Sequence, residues 1–315
     1  MKVSLIVTML NEASTVDDLI KAVEAQTRVP DEIVIVDGGS TDGTLEMLQG
    51  WASSHPGVIV KSLPGANISA GRNVAIKEAA GPVIAATDAG CTPKPEWLEE
   101  LIKPFETQQV EVVMGFYQPD SRSKFERILG CLNLPDADEI KPERFMPSSR
   151  SVAFTKQIWE KAGGYPEWLN IGEDMYFNFR VLEQGARRVF APEAVVRWRL
   201  RPDLTSTLRQ YFRYAEGDGK AGMYPRRHAL RFLSYAGGGL FLGVAARRPV
   251  LLWIPAAFGA ARMFPAYRRA WRRLPPAEAA AATVALPALE LLVDLAKIAG
   301  YLSGRRAREA NAPIV

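Results

Sequence analysis

The sequence is poor in the residues that build disulfide frameworks and metal clusters. Its 315 residues include two cysteines, Cys91 and Cys131, and two histidines, His55 and His228. So few cysteines exclude a small secreted domain held by disulfides, and neither histidine has metal-ligand spacing. We therefore expect a reduced, cytosol-facing protein in which both histidines are surface or structural residues.

Several nucleotide-binding and export signals are also missing. No Gly-Lys-Ser/Thr triplet occurs, and the first predicted strand is followed at residues 9–12 by Met-Leu-Asn-Glu rather than by a glycine-rich turn. The first absence argues against a P-loop nucleoside triphosphatase, and the second disfavours a Rossmann dehydrogenase. The opening residues run into an apolar stretch without a small-residue cleavage site, so we expect no signal peptide.

An apolar run of the roughly 20 residues that a spanning helix needs is missing as well. In the C-terminal third, the long uncharged stretches are 15 residues at 232–246, 13 at 249–261 and 11 at 279–289. Arg247 and Arg248 separate the first two, and a hairpin tip there would have to carry both charges across the bilayer. The stretch 267–274 mixes arginines with aromatic residues, as segments that lie on anionic lipid do. The alternative is a set of core helices in a soluble tail.

What the sequence does contain is ordinary for a globular protein, but its charge is unevenly distributed. Hydrophobic residues make up 48% and charged residues 23% of the chain. Residues 1–196 carry a net charge of −9, whereas residues 197–315 carry +13. A basic C-terminal third indicates an anionic partner. The neighbouring apolar runs favour a membrane surface over nucleic acid, for which no recognition motif is present.

Short apolar runs alternate with helical patterns along the first half of the chain. This alternation is typical of βαβ units and predicts an α/β fold with a mostly parallel sheet. Strands are predicted at residues 3–8, 32–36, 58–61, 83–87, 110–116 and 149–154. Helices are predicted after a Ser14 cap and at residues 44–53, 73–79, 95–105, 124–132, 156–162, from 173 onward and at 204–216.

Acidic residues follow two of these strands and open one of the helices. Asp37 and Asp88 come at strand ends, and ligands of open α/β sheets bind beyond the carboxyl ends of the strands. An acid there can also cap the next turn. Glu173 and Asp174 fall in the first turn of a helix, where acids suit the helix dipole whether or not they have a further role.

Five stretches in this order over residues 1–214 resemble the family 2 glycosyltransferases, whose catalytic domain has the GT-A fold. They are Val-Thr-Met-Leu-Asn-Glu at 7–12, Val-Asp-Gly-Gly-Ser-Thr-Asp-Gly-Thr at 36–44, Gly-Arg-Asn at 71–73, Thr-Asp-Ala-Gly at 87–90 and Gly-Glu-Asp at 172–174. The resemblance implies an inverting transferase that uses a nucleotide-sugar donor.

The resemblance also assigns roles to individual residues. Asp37 resembles the acid that holds the uracil or ribose of the donor, with Thr8 and Glu12 lining the same pocket. Asp88 resembles the first acid of the Asp-x-Asp motif, which reaches the donor diphosphate through Mg²⁺ or Mn²⁺. Asp174 resembles the general base that deprotonates the acceptor hydroxyl.

Further substrate-binding residues are implied at matching motif positions. Arg72 and Glu173 belong to the Gly-Arg-Asn and Gly-Glu-Asp stretches. Gln210 and Arg213 belong to Gln-Tyr-Phe-Arg-Tyr, which is similar to a Gln-x-x-Arg-Trp signature and implies contact with diphosphate or acceptor. One departure is Gly90, which replaces the second acid of Asp-x-Asp, so we expect metal to bind only together with the donor phosphates.

The sequence therefore predicts a GT-A domain at 1–222 and a membrane-associated helical tail at 223–315. The expected donor is a UDP-sugar, and a lipid-linked or cell-envelope glycan is one expected acceptor. The expected location is the cytoplasmic face of the membrane, with the tail monotopic or inserted as a hairpin. Two alternatives stay open: a degenerate, donor-binding membrane scaffold, suggested by Gly90, and a sugar nucleotidyltransferase, which would need a basic glycine-rich loop after strand one.

Overall fold

The computed structural model describes residues 1–245 and 248–310, and Arg247 lies outside this range. The chain forms two compact units. The first contains Met1–Asp120 and Ala137–Arg199, and the second contains Ser121–Asp136 and the chain from Leu200 onward. The predicted functional boundary between residues 222 and 223 stays a prediction.

Within the described residues, the first unit contains an eight-stranded mixed sheet, which confirms the predicted fold class. The strands are β1 (Val3–Met9), β2 (Glu32–Asp37), β3 (Val58–Ser62), β4 (Val83–Ala86), β5 (Cys91–Pro93), β6 (Val112–Asp120), β7 (Val152–Thr155) and β8 (Arg188–Arg199). Their order is β3-β2-β1-β4-β7-β6-β8-β5. The first four in this order are parallel, whereas β7 runs antiparallel to both of its neighbours.

Helices cover both faces of this sheet, which explains the continuous apolar runs of the strands. Leu5 and Val7 of β1 pack into one core with Trp97, whereas Ile6 packs into the core on the opposite face with Phe154. The helices are α1 (Val16–Glu24), α2 (Thr44–Ser54), α3 (Ile68–Glu78), α4 (Trp97–Thr107), α6 (Lys156–Lys161) and α7 (Glu173–Glu183).

The predicted starts of α1 and α3 are wrong. The residue before α1 is Thr15, not Ser14, because the carbonyl of Glu12 accepts the N–H groups of both Thr15 and Val16. Helix α3 begins five residues before position 73, since the side chain of Asn67 caps it by accepting the Ala70 N–H at 2.9 Å. The Gly-Arg-Asn stretch therefore lies inside the helix rather than in a turn before it.

The second unit is helical. Its helices are α5 (Lys124–Asn133), α8 (Leu204–Ala221), α9 (Pro225–Ala245), α10 (Trp253–Arg273) and α11 (Pro276–Ala310), with a 3₁₀ turn at Pro249–Leu252. Glycines allow α8 and α11 to pack with their backbones close together. A Cβ added at Gly300 or Gly304 would lie 2.1 Å from a backbone oxygen of α8.

The tail forms longer helices than the separate apolar runs suggested. In the described residues, one helix, α11, is long and apolar enough to cross a membrane. Its length was missed because Glu290 and then Asp294 interrupt the apolar pattern in the sequence. In the structure the Asp294 carboxylate is fully buried and accepts hydrogen bonds from Arg231 at 2.8 Å and from Arg262 at 2.6 Å.

Two arginines of the basic stretch 267–274 have a structural role. Arg269 donates to the carbonyl of Cys131 at 2.7 Å, and Arg273 donates to that of Leu134 at 3.0 Å. Cations at the C-terminus of a helix satisfy its free carbonyl groups and complement its dipole. These two arginines therefore stabilise the end of α5.

Candidate active site

The site centres on Asp88, two residues after β4 ends at the carboxyl edge of the sheet. Its side chain is 27% exposed, so the carboxylate is partly open to solvent. The hydroxyl of Thr87 donates to the carbonyl of Arg150 at 2.9 Å, which ties the end of β4 to the segment before β7. A Cβ added at Gly90, two residues further along the chain, would meet no atom within 4 Å, so there is open space next to Gly90.

Arg72, on α3, joins Asp88 to Glu173. One guanidinium nitrogen donates to Asp88 Oδ1 and the other to Glu173 Oε1, both at 2.7 Å. The residue is buried, and its guanidinium lies 5.2 Å from the centre of the Tyr165 ring. Burial opposes the charged form, but the adjacent carboxylates outweigh it and raise the pKa of Arg72. Arg72 is therefore a permanent cation in the site.

Glu173 and Asp174 open helix α7 after Gly172, whose φ of 84° lies in the left-handed region that favours glycine. Burial, together with the neighbouring Asp174 charge, raises the pKa of Glu173 to about 7 against the opposing effect of Arg72. Asp174 is less buried than Glu173. Its Oδ1 accepts the N–H of Met175 at 2.8 Å, and its Oδ2 accepts the Ser148 hydroxyl at 3.2 Å.

Arg150 completes the cluster, and sequence reasoning did not identify it. Its Nε lies 3.8 Å from Asp88 Oδ2, and its Nη1 donates to Ser148 Oγ at 2.8 Å. The guanidinium lies 4.1 Å from the centre of the Trp198 ring. Because Ala86 pairs with Val152 in antiparallel register, residue 150 falls opposite residue 88. Only the antiparallel direction of β7, which the sequence did not indicate, could have pointed to Arg150.

Asp37 lies at the same sheet edge, but its carboxylate faces the turn that follows β2. It is fully buried, and Oδ2 accepts the N–H groups of Gly39 at 2.9 Å and Ser40 at 3.0 Å, while Oδ1 accepts the Ser40 hydroxyl. Strand β1 separates β2 from β4, which places Asp37 about 10 Å from Asp88 at the usual strand spacing. The structure therefore connects Asp88 to Asp174 through Arg150 and Ser148, whereas Asp37 orders its own turn.

Thr8 and Glu12 flank this turn at the end of β1. The Thr8 hydroxyl is buried and has no hydrogen-bond partner among the described residues. Helix α3 packs so closely here that a Cβ added at Gly71 would lie 3.0 Å from the Thr8 methyl group. Glu12 Oε2 accepts the Thr15 hydroxyl at 2.8 Å. An unpartnered buried hydroxyl costs stability, and a ligand group could satisfy it.

Gln210 and Arg213 lie on α8, in the second unit. Gln210 Nε2 donates to the Tyr214 hydroxyl at 3.0 Å, one turn further along the same helix. The Arg213 side chain is exposed. Their predicted contacts with the diphosphate or the acceptor stay predictions.

The described residues contain no group of three or more His, Cys, Asp or Glu side chains that could hold a metal ion. Mg²⁺ and Mn²⁺ prefer oxygen ligands, and sites of this kind combine one or two carboxylates with substrate phosphates and waters. Asp88, with open space beside Gly90, fits a divalent cation that the donor phosphates help to hold.

Comparisons with known proteins agree with this architecture. Residues 4–151 match the family model described as Glycosyl transferase family 2. Glycosyltransferase AglE from Haloferax volcanii is 25% identical over 241 residues, which cover 74% of this chain and 78% of that protein.

Two solved structures show the same fold. One is the mannosyltransferase PcManGT from Pyrobaculum calidifontis, in complex with GDP-Man and Mn²⁺, with a TM-score of 0.54 and 19% identity over 99% of this chain and 88% of that one. The other is GalNAc-T7 with UDP, GalNAc and Mn²⁺, with a TM-score of 0.53 and 17% identity over 70% of this chain and 48% of that one. Residues 4–151 are therefore similar to the family 2 glycosyltransferases, and the chain has the GT-A fold of its solved neighbours.

Proposed function

We propose that this chain transfers a sugar from a nucleoside diphosphate donor to an acceptor hydroxyl with inversion of the anomeric carbon. The observation that carries the proposal is the cluster around Asp88. A partly exposed carboxylate lies at the ligand-binding edge of the sheet, with Arg72 and Arg150 beside it. Asp174 is linked to it through Ser148, which bonds to Arg150. These groups can hold a charged donor and deprotonate an acceptor in one place.

The donor diphosphate lies at Asp88 in this proposal. Mg²⁺ or Mn²⁺, held by Asp88 and the phosphates, would neutralise the charge that develops on the leaving group. Arg72 holds Asp88 Oδ1 through its 2.7 Å hydrogen bond and so fixes the direction of the carboxylate. The neighbouring structures contain GDP-Man or UDP with Mn²⁺. The sequence favours a UDP-sugar, and both nucleotides should be tested.

The nucleoside lies further along the same edge. Thr8, with its unpartnered hydroxyl, can bond to it. Glu12 and Asp37 order the adjoining turns. Asp37 could bond to the base or ribose only if the hydrogen bond from the Ser40 hydroxyl to its Oδ1 breaks. Gln210 and Arg213 are proposed to contact the diphosphate or the acceptor.

The reaction is a single displacement. Asp174 takes the proton of the acceptor hydroxyl, whose oxygen forms a bond to the anomeric carbon. The bond from that carbon to the diphosphate oxygen breaks, and the nucleoside diphosphate leaves with the electron pair. Since no enzyme nucleophile takes part, the configuration at the anomeric carbon inverts.

The test is the release of nucleoside diphosphate from a panel of UDP- and GDP-sugars with Mn²⁺, Mg²⁺ or chelator. The wild-type protein should hydrolyse its donor slowly, and Asp88→Asn should lose both metal dependence and most turnover. Release of pyrophosphate would instead indicate a sugar nucleotidyltransferase. Donor binding without any turnover, with acceptor extracts present, would indicate a scaffold.

We also propose that the tail from residue 223 associates with a membrane and that the acceptor is lipid-linked or part of the cell envelope. Helices α9–α11 expose large apolar side chains, among them Phe232, Leu233, Trp253, Phe258, Phe264 and Trp271. Such exposure is costly in water, and the basic character of this third of the chain favours anionic lipid and the cytoplasmic face. The protein should float with vesicles that contain phosphatidylglycerol. A Trp253→Glu/Phe258→Glu variant that floats equally well would contradict this placement.

A further inference from the structure

The ion pair between Arg150 and Asp88 is longer than the one between Arg72 and Asp88. Its N–O distance is 3.8 Å, whereas Arg72 approaches Asp88 to 2.7 Å. The Arg150 side chain is 19% exposed and that of Arg72 is 4% exposed. Of the two arginines at Asp88, Arg150 therefore makes the longer and more exposed contact, and this is the contact that a ligand can replace.

Other contacts hold Arg150 at the sheet edge while its guanidinium changes partner. Trp198 stacks against the guanidinium at 4.1 Å, and Ser148 Oγ accepts one of its N–H groups at 2.8 Å. The planar fork of N–H donors binds two phosphate oxygens at once, which an ammonium group cannot do. Arg150 thus presents a phosphate-binding group next to the carboxylate that is proposed to hold the metal.

We propose that Arg150 binds the donor diphosphate and, in the free protein, keeps metal away from Asp88. With no donor bound, its positive charge faces Asp88 Oδ2 and repels a second cation. When the diphosphate binds, Arg150 turns to the phosphate oxygens, and Asp88 would then be able to hold the metal. This inference rests on the proposed function. It holds that Arg150 makes metal binding at Asp88 depend on donor binding.

The proposal predicts opposite changes in two affinities. Arg150→Gln should weaken binding of UDP or GDP by about 10- to 100-fold, which corresponds to the loss of a charge-assisted hydrogen bond. The same variant should bind Mn²⁺ alone about 3- to 10-fold more tightly, because the positive charge that pairs with Asp88 has been removed. A merely structural role for Arg150 would weaken both, since Asp88 would lose its orientation.

Titration calorimetry of the full-length protein in detergent measures both affinities, first with Mn²⁺ alone and then with UDP or GDP at saturating Mn²⁺. Arg150→Lys keeps the charge but not the fork, so Mn²⁺ alone should bind as to the wild type while the diphosphate binds less tightly. Arg180→Gln is a matched control, because this exposed arginine pairs with Glu183 on α7. It should leave both affinities unchanged.

The outcomes separate the inference from the proposed function. If the wild type binds neither UDP nor GDP with Mn²⁺, both are contradicted. If it binds one of them, but Arg150→Gln binds it equally well or binds Mn²⁺ alone no more tightly, only the inference is overturned. Tighter Mn²⁺ binding together with weaker diphosphate binding supports it.

Discussion

Replacing Arg72 by methionine tests how the acidic cluster is held together. The substitution removes both hydrogen bonds that join Asp88 to Glu173 and leaves an apolar side chain of similar length. Breaking one partner of a buried ion pair costs about 3–5 kcal/mol, because the other charge stays buried without compensation. Asp88 is partly exposed and keeps Arg150 nearby, so most of the cost falls on Glu173.

The cost should depend on pH because Glu173 can escape it by binding a proton. Its pKa is already raised to about 7 by burial and by Asp174, and loss of Arg72 raises it further. We expect Arg72→Met to lower the free energy of unfolding by about 3 kcal/mol at pH 8 and by about half of that at pH 6. In a Glu173→Gln background the same substitution should cost only about 1 kcal/mol, so the coupling energy is about 2 kcal/mol at pH 8.

Urea titration with hydrogen exchange of the β4 amides follows the unit that contains this cluster. Arg180→Met is the control, since an exposed ion pair contributes under about 1 kcal/mol. A loss for Arg72→Met that matches this control, or that is the same at pH 6 and pH 8, would refute the argument that Arg72 compensates a buried Glu173.

Three further predictions concern single positions. Because the pKa of Glu173 is raised to about 7, its contribution to stability is fully present below pH 4.5 and is lost as pH rises through 7. Glu173→Gln should therefore reduce the change in the free energy of unfolding between about pH 5 and pH 8 by up to about 3 kcal/mol. Gly115→Ala should destabilise the first unit by about 1–3 kcal/mol in urea titration, since its Cβ would lie 2.0 Å from Ser151 Oγ. Gly304→Ala should lower the thermal midpoint because its Cβ would lie 2.1 Å from a backbone oxygen of α8, whereas Gly237→Ala, with nothing within 4 Å, should leave it unchanged or raise it.

The strands of the sheet could be predicted from the sequence because their signal is local. The run Ile33–Val36 is apolar on both faces and ends at an acid and two glycines, and the structure places β2 there. Parallel order follows from the helices between such runs. The direction of β7 could not be predicted, because a short apolar strand pairs equally well either way. Arg150 could therefore not be predicted as a site residue, because its position opposite Asp88 depends on the antiparallel register of β7.

The limits of the tail were harder to predict for a different reason. Asp294 and Glu290 look like the end of an apolar segment, but Arg231 and Arg262 neutralise Asp294 from other helices. Such compensation depends on residues far apart in sequence and cannot be read from a local run. Conversely, the sequence pattern at the start of α7 fitted two roles for its acids, a helix cap or a part of the site. Only the contacts of Glu173 with Arg72 and of Asp174 with Ser148 distinguish these roles.

The central claim is that Asp174 removes the acceptor proton beside a diphosphate held at Asp88. The measurement that tests it most directly is single-turnover transfer by Asp174→Asn at saturating donor and Mn²⁺, with Glu183→Gln at the far end of α7 as control. We expect nucleotide affinity to stay within about twofold while the rate falls by about 10²–10⁴, and we expect the control to match the wild type. A rate for Asp174→Asn close to that of the control would contradict the account and leave Asp174 as a residue that stabilises the start of α7.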